Sequence, residues 1–213
     1  MPFPSRERVG CRAAAAGLSV AAVVVLLAIA IRDPTLARQL VSENNVVECL
    51  QVILAGAAGV LAFRDARAAR RAGQPFALDV AIVGAMAIIC IGEVDLDRML
   101  FGTKIISTKF FVDGRRWIVW RALAVLVVVG APLALGLWLL IHLRELWRAG
   151  LAGLRQPWGH TAAFGMVLFL AVEVFEKKLS RIPSLPQYFA EEVLELIATI
   201  CIVVGVAGRR GRP

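Results

Sequence analysis

The sequence predicts an all-α, polytopic membrane protein: one integral membrane domain of six transmembrane helices, with both termini cytoplasmic. Three observations carry this. The chain is 59% hydrophobic with a mean hydropathy of +0.75, its apolar residues fall into six runs, and its charges gather between those runs. A helix needs about 20 residues to cross the hydrocarbon core of a bilayer, and several runs approach or exceed that length.

The first run, 13–31, follows Arg6, Arg8 and Arg12. With Ala28-Ile29-Ala30 behind it, this has the layout of a secretory signal and its cleavage site. Its apolar core is longer than the roughly 7–15 residues of a signal peptide, so a retained span is expected. The second run, 46–63, ends in FRDARAARRAGQP, where Arg64, Arg67, Arg70 and Arg71 face only Asp65. The third, 76–92, leads directly into the motif GEVDLDR at 92–98. Residues 99–116 mix aromatic and basic side chains, as suits a loop or a short interfacial segment.

The fourth and longest run, 117–141, holds Arg121 one turn inside it. The polar stretch 142–160 separates it from the fifth, 161–178, which already holds Glu173 and reaches spanning length only by taking in Glu176, Lys177 and Lys178. Two prolines make the connection SRIPSLPQYF, 180–189, an expected break in helix. The sixth run, 190–207, opens on Glu191 and Glu192, with Glu195 a turn further in.

Six crossings put segments 1–12, 64–75, 142–160 and 208–213 on one side, where they hold 13 of the 24 Lys and Arg. All four are basic, and arginines flank the first, second and last spans there, which assigns that side to the cytoplasm. The acids divide more sharply: only Glu7, Asp65, Asp79 and Glu145 fall on it, and 12 of 16 lie outward. The positive-inside rule concerns Lys and Arg, so it leaves this excess unexplained.

Four outer helix ends carry the acids: Glu48 on the second span; Glu93, Asp95 and Asp97 on the third; Glu173 and Glu176 on the fifth; Glu191, Glu192 and Glu195 on the sixth. Glu192 and Glu195 are i,i+3 neighbours, and Glu191 and Glu195 are i,i+4; Glu173 likewise faces Glu176 and Lys177. Ionisable groups at membrane depth turn towards protein or water, so one outward-opening polar pocket is expected. Arg98, Arg121, Lys104 and Lys109 supply counter-charges, with Lys177 beside Glu173.

Several roles compete for these acids. They can fix helix order through ion pairs, and acids at the start of the sixth span suit its dipole. They can bind a divalent cation, which takes several oxygen ligands; Glu48, Glu93, Asp97, Glu173, Glu192 and Glu195 are the candidate metal donors. They can serve an enzyme acting on lipid headgroups or another extracytoplasmic substrate, a carboxylate being the base. An ion-coupled transporter is a further option, and an accessory subunit of a membrane complex fits the small loops. In each case Glu93 and Glu195 are expected to matter more than Glu7 and Glu145.

Other chemistry has weak support. Cys11, Cys49, Cys90 and Cys201 stand singly, which indicates neither zinc nor a disulfide framework. His142 and His160 fall on the side away from the acids, and no GxSxG, HExxH or P-loop pattern occurs. The basic balance reads as attraction to anionic membrane lipid, and no nucleic-acid motif accompanies the arginines. Gly56, Gly59, Gly130 and Gly136 suit close helix packing, and Trp117, Trp120 and Trp138 suit interface or core positions.

The motif Glu93, Asp95, Asp97, Arg98 after the third span, with Glu191, Glu192, Glu195 and Leu196 opening the last helix, resembles an uncharacterised group of small bacterial multi-span membrane proteins. Their pattern is E-x-D-x-(D/H)-(K/R), then EE-x-x-E-L. The likeness is strongest over 90–125 and 190–205. It implies a multi-pass protein of the bacterial inner membrane in which these polar positions matter, and it implies no activity.

Overall fold

The computed structural model describes residues 5–41, 46–93, 119, 122, 126, 130–179 and 185–209. Apart from short breaks at 33, 72–76, 142, 155–156 and 209 these are helical, and no strand occurs among them. In chain order the helices are α1 (Ser5–Arg32), α2 (Pro34–Val41), α3 (Val46–Arg71) and α4 (Ala77–Glu93). After them come α5 (Ala131–Ile141), α6 (Leu143–Leu154), α7 (Pro157–Leu179) and α8 (Leu185–Gly208).

Several stretches outside the predicted spans are helix. Residues 34–41 form α2, residues 64–71 extend α3, and Leu143–Leu154 is α6. Arg, Ala and Leu have high helix propensity, so charge alone does not break these stretches. The break expected across 180–189 is also shorter, because α8 starts at Leu185. Pro186 then falls in the first turn, where its missing N–H costs no intrahelical bond.

Local chemistry explains the punctuation. Asp33 Oδ1 accepts the backbone N–H groups of Thr35 and Leu36, both at 3.0 Å, and so caps α2 just after α1 ends. Gly73, at φ +65°, makes the left-handed turn after α3 that a side chain would oppose.

The long helices alternate in direction. Cys90 Sγ on α4 donates to the Val52 carbonyl on α3 at 3.6 Å, and Gly59 meets Met86, so these two run antiparallel. One apolar cluster joins Leu26 of α1 and Val47 of α3 to Val193, Leu196 and Ile200 of α8. A second joins Ala55, Ala58 and Ala62 of α3 and Met86 and Ile89 of α4 to Ile202 and Val206 of α8. The two clusters follow one another along α3 and α8 in the same order, which makes that pair parallel.

Helix α8 lies closest to α7. A methyl at Gly165 would meet the Ala198 carbonyl oxygen at 2.5 Å and Cys201 Cβ at 2.9 Å; one at Gly205 would meet Ala162 Cβ at 2.7 Å. The close packing of α7 on α8 rests on these two glycines. Of the four that sequence singled out, Gly59 alone meets a neighbouring helix, Gly56 and Gly136 have nothing within 4 Å, and Gly130 meets only Leu126.

The outward faces are apolar. Val20 and Val24 of α1, Ile53 and Val60 of α3, and Phe164 and Val167 of α7 are all more than half exposed. Two helical stretches, Ala13–Arg32 and Val46–Arg71, are long and apolar enough to cross a membrane. Ala77–Ile91, Ala131–Ile141 and Pro157–Val172 are shorter apolar stretches, and α8 carries three carboxylates in its first half.

Gly165→Ala should destabilise the purified protein by about 1–3 kcal/mol, because backbone rather than a flexible side chain blocks the new methyl. Gly56→Ala, in open space, should be neutral or stabilising by up to about 1 kcal/mol. Unfolding curves in detergent would check this pair; equal losses would refute the glycine contact.

Candidate functional site

Charge and polarity concentrate at the two ends of the bundle and in one layer between the apolar clusters. That layer holds Gln51 and Thr199, each with 0% exposure, and Glu195, with 8%. Along α3, Gln51 stands one turn from Val47 on one side and Ala55 on the other, so it separates the two clusters. Along α8, Glu195 and Thr199 are i,i+4 neighbours and continue the stripe of Ile202 and Val206 that faces α3 and α4. The parallel run of α3 and α8 puts Gln51 alongside the turn from Glu195 to Thr199. The Thr199 Oγ1 atom is buried and has no hydrogen-bond partner among the described residues, a condition that costs about 1–3 kcal/mol.

Helix directions bring many of the predicted acids to one end. Glu48 lies in the first turn of α3, and Glu191, Glu192 and Glu195 in the first half of α8; the parallel packing sets these together. The backbone of Glu93 ends α4 at this same end, as the Cys90–Val52 contact requires. Antiparallel packing of α7 on α8 carries the backbone positions of Glu173, Glu176 and Lys177 there too. Asp95, Asp97, Arg98, Arg121, Lys104 and Lys109 lie outside the described residues, as do the side chains of Glu93, Glu173, Glu176 and Lys177. Among the described residues no group of three His, Cys, Asp or Glu is arranged to hold a metal ion.

The opposite end contains what the sequence reading passed over. Arg209, just past α8, binds both carboxylate oxygens of Asp79 in the first turn of α4: Nη1 reaches Oδ1, and Nη2 reaches Oδ2 at 3.2 Å. The guanidinium also lies over the Trp158 ring, 5.4 Å from its centroid, and the Trp158 indole N–H donates to Gln156 Oε1 at 2.9 Å. Asp65 of α3 is close enough to act electrostatically on Asp79.

Glu145 of α6, expected to be a bystander, accepts the Ala77 backbone N–H at 3.0 Å. It thus satisfies one of the free donors at the start of α4, and its charge suits that end of the helix dipole. Trp138 sits between Phe76, at 6.0 Å, and the stacked ring of His142, at 4.1 Å, again at this end. His160 is exposed, with Nδ1 2.9 Å from the Gln156 carbonyl oxygen. Both histidines therefore stand at the end opposite Glu48, Glu191, Glu192 and Glu195.

One signal for this site was in the sequence. Asp79 is the lone acid inside the run 76–91, and a carboxylate there needs a partner. Nothing local says that the partner stands 130 residues away.

The pair should respond unequally to mutation. The Asp79 side chain is 2% exposed and that of Arg209 27%. Arg209→Ala strands a buried carboxylate and should cost on the order of 3 kcal/mol. Asp79→Asn leaves a guanidinium that can reach water along its flexible stem, and should cost clearly less. Thermal unfolding of both variants checks this; the reverse order would refute it.

No family model, curated protein or solved structure matches this chain.

Proposed function

We propose that the chain is a six-span protein of the bacterial inner membrane, both termini cytoplasmic, acting as a structural or accessory subunit of a membrane complex. The observation that carries this reading is the outward apolar surface, above all on α1. Ala15 and Leu26 are buried along that helix, whereas Leu18, Val20, Val24 and Val25 are exposed. Lipid and neighbouring helices are the surroundings in which such a face is stable, since the bilayer core is as apolar as the side chains themselves. The alternating helix directions support the topology, and the resemblance of the GEVDLDR and EEVLEL motifs to small bacterial multi-span proteins agrees with it.

In this arrangement the acid end faces outward, and the end with Asp79 and Arg209 faces the cytoplasm. Reporter fusions test it: alkaline phosphatase joined after Asp33 should be active, and after Gly73 or Gln156 inactive, with green fluorescent protein giving the opposite pattern. The subunit role requires the chain, solubilised gently from its native membrane, to migrate well above its own 23.0 kDa. Activity of the phosphatase at Gly73 would overturn the topology, and migration as a free monomer would overturn the subunit role.

A cation site is the second reading, favoured by the buried, unbonded Thr199 hydroxyl one turn from Glu195. Hard cations take oxygen ligands, and Glu195, Thr199 and Gln51 offer a carboxylate, a hydroxyl and an amide at neighbouring levels. Elemental analysis of the detergent-purified protein should then find a stoichiometric metal, lost in Glu195→Gln and reduced in Thr199→Val. Wild-type protein free of metal, or variants that retain it, would reject the site.

A further inference from the structure

Helix α6 has three distinct faces. Its inner face packs on the bundle through Glu145, which caps α4, and Gly153, where a methyl would meet the Trp158 ring at 2.9 Å. A second face is apolar yet exposed: Leu143 at 57%, Trp147 at 68%, and Leu151 and Leu154 each at 44%. These recur at i, i+4, i+8 and i+11, a single stripe. The third face holds Arg144 and Arg148, with Arg155 just beyond the helix, all exposed. At about 100° per residue the arginine stripe lies about a quarter turn from the apolar one.

The surroundings sharpen this pattern. The Glu145–Ala77 bond fixes α6 beside the start of α4, at the same end of the bundle as the exposed Arg64, Arg67, Arg70 and Arg71 that close α3. Three acids with described side chains lie at this end, and two of them face inward: Asp79 is bound to Arg209, and Glu145 to the α4 terminus. The surface offered outward is therefore arginine beside leucine and tryptophan. Apolar side chains that enter the acyl boundary, with cations alongside at headgroup level, are the pattern of a helix lying in a membrane interface rich in anionic lipid.

We infer that α6 and the arginine-rich end of α3 form a binding surface for anionic phospholipid of the cytoplasmic leaflet. Trp147 and the leucines sit among the acyl chains, and Arg144, Arg148 and Arg155 engage the phosphates. The inference rests on the membrane reading above. It goes further in making α6 a lipid-recognition element rather than a connector.

The test uses the full chain in nanodiscs of zwitterionic lipid, with and without phosphatidylglycerol. Wild type should retain phosphatidylglycerol in preference to phosphatidylcholine in native mass spectra, and raising ionic strength should weaken that retention. Arg144→Gln/Arg148→Gln/Arg155→Gln should lose on the order of tenfold or more in apparent affinity. Arg32→Gln, whose exposed arginine lies at the other end of α1, should keep it.

Brominated phosphatidylglycerol should quench the part of the fluorescence that Trp147→Phe removes. Absence of any preference in wild type, equal retention by the triple variant, or an unquenched Trp147 would each overturn the inference. Salt dependence and Trp147 quenching need only wild type and one mild substitution, so a poorly folded triple variant leaves the test intact. Alkaline extraction of native membranes separates the two readings. Protein that stays in the pellet without lipid preference defeats the surface alone, whereas protein released to the supernatant defeats the membrane reading as well.

Discussion

The close approach of α7 and α8 is the contact on which the other arrangements depend. Gly165 and Gly205 let one backbone rest against the other, with Ala198 and Ala162 as the opposing surfaces. Association of apolar helices in lipid gains little from the hydrophobic effect and relies on packing of this kind. Once α8 is seated, its other faces are set. Val193, Leu196 and Ile200 meet α1 and α3, Ile202 and Val206 meet α3 and α4, and Arg209 emerges beside Asp79. The polar layer follows from the same placement, since Glu195 and Thr199 share the stripe of Ile202.

The layer is costly in a bundle so apolar. Gln51, Glu195 and Thr199 interrupt what could have been one continuous core from Val47 to Ala62 along α3. Buried polar groups can specify one register against its neighbours, and here such a layer opposes sliding of α8 along α3 by a turn. The same oxygens are the ones a cation would need. Registry and binding thus draw on one set of side chains, and the orphaned hydroxyl of Thr199 is the feature that registry alone leaves unexplained.

Much of the fold was legible from composition and periodicity, because long apolar runs can be little except helix. The positions of α1, α3, α4, α7 and α8 correspond to runs the sequence displays, and the direction of each follows from alternation. Polar helices were harder to see. Residues 143–154 and 64–71 carry enough charge to look like loops, yet their Leu, Ala and Arg content favours helix, and α6 is held in place by tertiary contacts. Glycine roles were also misjudged, since a small residue signals close packing only when a neighbour approaches, and no local pattern distinguishes Gly56 from Gly165. The acid-bearing helix ends were evident from simple alternation, whereas Asp79, Arg209 and Glu145 act through partners too distant in sequence for spacing to reveal.

The Asp79–Arg209 pair also has a consequence in time. Its two members are separated by 130 residues, so Arg209 is synthesised well after Asp79. At about 5–20 residues per second, the ribosome delivers the guanidinium on the order of ten seconds after the carboxylate has emerged. Throughout that interval the carboxylate in the first turn of α4 is without this partner and must stay near water. Glu145, arriving midway, can cap the helix but cannot neutralise it. Arg209 therefore completes the arrangement late, and a nascent chain that has not yet reached it would expose an unanswered charge to quality control.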